Sequence, residues 1–106
     1  MPELRISTCD EDDGMISRNE KVTVGTSSVQ IAPARKRRVI LIRNTSTGTQ
    51  RITVCMGFKE AVEDEGIVLE PGELFSDSNS EGYECWQGVI TAISDSSGGQ
   101  LSIFER

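Results

Sequence analysis

Residues 38–57 read RVILIRNTSTGTQRITVCMG. Val39–Ile42 is an unbroken apolar run, the pattern of a strand covered on both faces, and Asn44-Thr45-Ser46-Thr47-Gly48 is a polar turn. From Arg51 to Gly57 the chain alternates, with Ile52, Val54 and Met56 on one face. Branching at Cβ costs χ1 freedom on a helix and packs well on a pleated surface, so two strands joined by a turn is the reading these residues favour. Upstream, Val22 and Val24 share one face of Lys21–Val24, and Val29 and Ile31 continue at period two until Pro33 ends the run. Downstream, Gly66–Leu69 is a short strand closed by Glu70-Pro71-Gly72, a type II turn signal. Leu74 and Phe75 begin another short strand, followed by a loop over residues 77–82. Cys85–Ser94 reads as the longest strand, bent at Gly88, and residues 96–99 as a hairpin turn into a last strand, Gln100–Glu105. Lys59–Glu65 is too short and too acidic for a helix.

The expected fold is therefore all-β: a single antiparallel β-sandwich or jelly roll of seven to eight strands over residues 21–106. Residues 1–20, apolar only at Leu4, Ile6, Met15 and Ile16, read as an extended amino-terminal arm.

Composition agrees with one domain and limits its chemistry. Ile and Val total 18 against five Leu and four Ala, and eight Thr add to the β-branched count. Leu, Ile, Val and Phe together make 26 of 106 residues, enough for a modest core. There is no histidine, which removes the usual general base at neutral pH and the commonest metal ligand. The serine-rich stretches contain no GxSxG elbow. The chain is expected not to be an enzyme and to use no cofactor. No window approaches the roughly 18 apolar residues of a membrane helix, and MPELRISTCDEDDG has neither the positive nor the apolar region of a secretory signal. Cys9, Cys55 and Cys85 form no CxxC pair, and the last two read as small apolar strand residues. Asn44-Thr45-Ser46 fits a glycosylation sequon but reads as a turn.

Net charge is −6, in segregated blocks. Residues 1–20 carry six acids and two bases, residues 35–51 six bases and no acid, and residues 60–84 nine acids and no base. Such blocks either pair within the fold or face partners of opposite sign. In an alignment on Gly14, the residues Asp13, Ile16 and Glu20 match a calcium loop, but Cys9 and Glu11 stand at the first and third ligand positions and no amphipathic helices flank the segment, so a solvated acidic arm is the expectation. Arg35-Lys36-Arg37-Arg38 has the charge to neutralise phosphates, yet the chain is acidic and no aromatic residues are interleaved, so pairing with acidic groups is the expectation over nucleic acid. Tyr83 and Trp86 raise sugar stacking as an alternative to burial of Trp86 in the core.

The series RVILIRNTSTGTQRITVCMGF, GIVLEPGELF and GVITAISDSSGGQLSIFE resembles small β-sandwich proteins and domains of tailed-bacteriophage virions. The matching positions are Arg38–Asn44, Gly57-Phe58, Gly66–Gly72 and Gly88–Ile93. The resemblance implies a virion structural protein, foremost a capsid decoration (cement) protein that binds and stabilises the assembled shell of major capsid protein. The alternative it leaves is a receptor- or glycan-binding module of a tail or head fibre. A decoration protein would be made in the host cytoplasm and sit on the outer capsid surface, with the major capsid protein and itself, as a homotrimer, for partners. Candidate partner contacts are Leu4, Arg5, Ile6, Asp10, Asp12 and Asp13 in the arm, and Arg35, Lys36, Arg37 and Arg38 in the basic cluster.

Overall fold

The computed structural model describes residues 17–106. Period-two alternation produces eight strands and no helix among them: β1 Arg18–Val24, β2 Val29–Ala32, β3 Val39–Asn44, β4 Ile52–Met56, β5 Ile67–Leu69, β6 Leu74–Ser78, β7 Ile90–Ser94 and β8 Gly99–Glu105. They form two four-stranded sheets, ordered β1-β8-β3-β6 and β2-β7-β4-β5, with every pairing antiparallel.

First pairs with last, second with seventh, third with sixth and fourth with fifth. This is the connectivity of a jelly roll, a long hairpin rolled into two facing sheets. Only β4 and β5 are both consecutive and paired; every other connection crosses between sheets. The core is what the two inner faces share. Ile40, Ile42, Leu101 and Ile103 from the first sheet meet Ile52, Val54, Ile90 and Ala92 from the second. Full burial of each isoleucine is worth about 1.5–3 kcal/mol.

Four local expectations change. β1 begins at Arg18, so residues 18–20 belong to the sheet and not to the arm, because Arg18, Asn19 and Glu20 pair with Glu105, Phe104 and Ile103. β6 runs on through Ser78, so Asp77 and Ser78 are strand where a loop was expected; Ile40 and Val39 hold them in register. Residues 96–98 do not close a hairpin, since β7 pairs with β2 and β4 while β8 pairs with β1 and β3, and the turn carries the chain from one sheet to the other. Finally, Cys85–Val89 is not strand. Carbonyls that a ladder would use point instead at a buried arginine, described below.

Asn44 shows how a sheet-crossing corner is fastened. It is buried at the end of β3, its amide donates to Gln50 O and Leu69 O at 2.8 Å each, and its Oδ1 accepts from Ser46 N–H at 3.0 Å. The bond to Leu69 ties the first sheet to β5 in the second. The sequon asparagine, expected in the turn, is instead the last residue of β3, paired with Leu101, and the turn follows it.

Residues 57–66 between β4 and β5 fold over the outer face of the second sheet. Asp64 N–H donates to Thr53 Oγ1 at 3.0 Å, Thr91 Oγ1 donates to Lys59 O at 3.2 Å, and Ala61 N–H donates to Ser28 Oγ at 2.9 Å. The cover buries Thr53, Cys55 and Ala61 and leaves Phe58 and Val62 outside. Among the described residues no segment covers the outer face of the first sheet in this way.

Candidate functional site

The connection from β2 to β3 carries the basic cluster, and β8 alternates Leu101, Ile103, Glu105 toward the interior. The two elements meet at one end of the sandwich, where Arg37 and Glu105 are both 0% exposed. Arg37 Nε donates to Glu105 Oε1 at 2.8 Å, Nη1 to Trp86 O at 2.7 Å and Gly88 O at 3.2 Å, and Nη2 to Pro33 O at 2.8 Å. The second carboxylate oxygen accepts from Arg18 Nη1 at 2.6 Å, with Arg35 Nη1 3.8 Å away. A buried charge is tolerable when it is paired and its remaining hydrogen-bonding capacity is used, and both conditions hold for this guanidinium.

The cluster corrects one expected contact. Arg37 does not face a partner; the carboxylate and three carbonyls draw it inside. Arg35 is half-buried toward the same carboxylate, while Lys36 and Arg38 are exposed. Part of the basic block therefore pairs within the fold, and so does Arg51, which meets Asp64 at 2.7 Å and Glu70 at 3.1 Å. Leu4, Arg5, Ile6, Asp10, Asp12 and Asp13 lie outside the described residues, as does Cys9.

Arg37 also organises an aromatic ridge. With residues 85–89 held around the guanidinium, Gln87 Nε2 donates to Arg37 O at 2.7 Å and Cys85 O at 2.9 Å, and its Oε1 accepts from Arg37 N–H at 2.9 Å. Trp86 Nε1 donates to Val89 O at 2.9 Å. Its ring is half-buried against the edge of the core, neither the deep core residue nor the open platform that the sequence offered as alternatives. Phe58 leans on it with ring centroids 5.5 Å apart and planes at 54°, yet remains 80% exposed. Gly88 permits this arrangement, because a Cβ there would lie 2.4 Å from the Trp86 ring.

Hollows flank Phe58 on two sides. One, of about 410 Å³, is lined by Ala34, Glu84, Cys85, Trp86, Gln87 and Gly88. The other, of about 340 Å³, is lined by Lys59, Glu60, Val89 and Thr91. The Gln87 amide is already engaged on the backbone, so the surface presents apolar walls with a mainly acidic rim and few polar groups for a sugar.

Two groups below the ridge titrate abnormally. Tyr83 donates to Asp77 Oδ1 at 2.7 Å, and this hydrogen bond, followed by desolvation and the Asp77 charge, raises the phenol above its ordinary value. Burial, then the Asp77 charge, raises the Cys85 thiol, against a smaller opposing pull from Arg37. Cys85 Sγ donates to Arg37 O at 3.3 Å, and Cys55 and Cys85 are both free, buried thiols. A thiol held protonated and buried is a packing group and not a nucleophile.

On the opposite side, the outer face of the first sheet has a third hollow, of about 270 Å³, lined by Leu41, Arg43, Thr45, Leu74, Ser102 and Phe104. Leu74 is 49% exposed. Register sets Lys21, Ser102 and Arg43 in a row across β1, β8 and β3 beside it.

Phe58, Leu74, Phe104 and Glu105 were noted in the sequence only as parts of strands or of the resemblance, and not as site residues. Glu105 was legible in principle, since period two from Leu101 and Ile103 points it inward. Phe58 carried only a weak signal, an aromatic residue after Gly57 at the end of a strand.

Among the described residues no group of three potential metal-ligating side chains occurs, and no helix is long and apolar enough to cross a membrane. What the described residues define is an eight-stranded β-sandwich whose distinctive surface features are an exposed aromatic ridge and hollows with apolar walls. Compared with known proteins, the chain matches no family model, no curated sequence and no solved structure.

Proposed function

We propose that this protein is a virion structural protein of the capsid-decoration type, which binds the assembled shell of major capsid protein on its outer surface and associates with copies of itself, as a homotrimer. The observation that carries the reading is the pairing of β1 with β8, β2 with β7, β3 with β6 and β4 with β5. That jelly-roll connectivity is widely used in viral coat and lectin domains, and the support is a fold-level analogy. The surface adds to it: a body with an apolar ridge and a sheet face that no described residue covers suits adhesion to a repetitive lattice. Decoration would work by mass action, since a protein that binds the assembled shell and not its separated subunits shifts the equilibrium toward the shell. Lys36, exposed at the basic connection, remains a candidate shell contact together with the arm.

Co-sedimentation of the full-length protein with expanded shells stripped of it tests the reading. Saturable binding at a copy number in fixed ratio to the capsid subunits is the expected result. Absence of binding at physiological salt overturns it.

A further inference from the structure

Two exposed features of this molecule are complementary and lie where one copy cannot bring them together. The first is the Phe58 ridge, on the loop covering the second sheet, at the end of the sandwich that holds Trp86 and Gly88. Glu84 lines one of its flanking hollows, and Lys59 and Glu60 line the other; Lys59 is drawn to Glu65 at 4.0 Å, which leaves the ridge's rim net acidic. The second is the hollow of about 270 Å³ on the outer face of the first sheet, walled by Leu41, Leu74 and Phe104. It lies beside the end of β3 and the start of β6, and Arg43 and Lys21 rim it. Neither cation pairs with a carboxylate among the described residues.

We infer that copies of this chain associate head to tail, the Phe58 ridge of one seating in the Leu41–Leu74–Phe104 hollow of the next, with Glu60 and Glu84 facing Lys21 and Arg43. Three observations converge on a second copy as the occupant. An aromatic side chain that is 80% exposed is an apolar anchor without a pocket. The outer face of the first sheet, which no described residue covers, supplies a hollow of about 270 Å³ walled by Leu41, Leu74 and Phe104. The two rims carry opposite charge, which selects this pairing over ridge-to-ridge or face-to-face contact, where like charges would meet. Because the two patches differ, the contact is heterologous, and it ends either in a closed ring or in an open filament. A ring is the solution consistent with a soluble assembly. The inference deepens the self-association part of the proposed function and rests on that part alone. It is tested without a capsid, so its failure and the failure of shell binding are distinguishable.

A complementation experiment with full-length protein decides it. Phe58→Ser removes the anchor and leaves the hollow; Leu74→Glu blocks the hollow with a charge that repels Glu60 and Glu84 and leaves the anchor. Both residues are exposed, and circular dichroism and melting of each variant verify the fold. By light scattering after gel filtration, wild type is expected as a ring oligomer and each variant alone as a monomer, the contact weakened about tenfold or more. An equimolar mixture of the two is expected to form a 1:1 heterodimer, which only a head-to-tail contact produces. As a second route, Glu60→Lys with Glu84→Lys is expected to dissociate the ring, and Lys21→Glu with Arg43→Glu in the partner to restore pairing. A monomeric wild type, an oligomer that survives Phe58→Ser, or a mixture that stays monomeric overturns the inference. Loss of shell binding by Phe58→Ser with the oligomer intact also overturns it, and assigns the ridge to the shell.

Discussion

Replacing Glu105 by Gln tests the physical account of how the two sheets are locked at one end. The substitution keeps side-chain volume, so no cavity term enters; it removes the charge and sets an amide donor where one carboxylate oxygen accepted from arginine. In the native protein that carboxylate is fully buried against the equally buried Arg37, and it also accepts from Arg18 at 2.6 Å. With glutamine, the Arg37 guanidinium stays in the interior, fixed by Pro33, Trp86 and Gly88 carbonyls, but without a counter-charge. Breaking a buried pair from one side costs about 3–5 kcal/mol. For a body of this size each kcal/mol moves Tm by about 4–8 °C, so even the lower bound corresponds to a fall of about 12 °C or more. Thermal melting followed by circular dichroism reads it directly. Since the pair is shielded from solvent, the loss should persist at high salt. The exposed Arg51–Asp64–Glu70 pairs provide the contrast: Arg51→Ala is expected to cost no more than about 1 kcal/mol and to shrink as salt is added. A fall of less than about 4 °C for Glu105→Gln would refute the view that Arg37 depends on this carboxylate.

Other consequences can be checked in the same way. Gly66 has φ +151°, and a Cβ there would lie 2.5 Å from Val54 O, whereas Gly72, with φ +91°, faces open space. Gly66→Ala should therefore destabilise by at least about 1–3 kcal/mol in urea melts, and by more than Gly72→Ala does. Deleting residues 1–20 should lower the body's melting below that of a deletion of residues 1–16, because the longer cut removes Arg18 and its bond to Glu105. Equal melting of the two truncations would show that the first rungs of β1 contribute nothing. The Cys85 thiol is raised in the folded state, so the folded protein holds that proton more tightly than the unfolded chain. Its contribution is complete at neutral pH and is lost as pH climbs from roughly 8.5 through the raised native value. Cys85→Ala should flatten that alkaline decline in a stability-versus-pH series, and an unchanged slope would sink the assignment.

Strands β1 to β5 and β8 were legible within a few residues, because alternation and turn chemistry act over neighbouring positions. Val22 and Val24, Ile52 and Val54, and Pro71-Gly72 each carry their own signal. The misread segment, Cys85–Val89, failed for a tertiary reason: it is apolar enough for a strand, but a charge nearly 50 residues away takes its carbonyls. The basic cluster was misread at one position for the same reason. Four adjacent cations look alike in sequence, and only the distant Glu105 makes Arg37 an interior residue while Lys36 stays outside.

What local sequence determined is therefore the all-β character, the turns and most strand positions, since χ1 entropy, proline φ and side-chain alternation operate over two to four residues. What only tertiary structure decided is partnership. Apart from β4 and β5, the strands could pair in many orders, and the observed order buries both sets of isoleucines while giving Arg37 its carboxylate and Asn44 its two carbonyls. Exposure of Phe58 belongs to the same class. Its neighbours in sequence do not distinguish it from a core aromatic residue, and it stays outside because Trp86 and the backbone at Gly88 already fill the space beneath it.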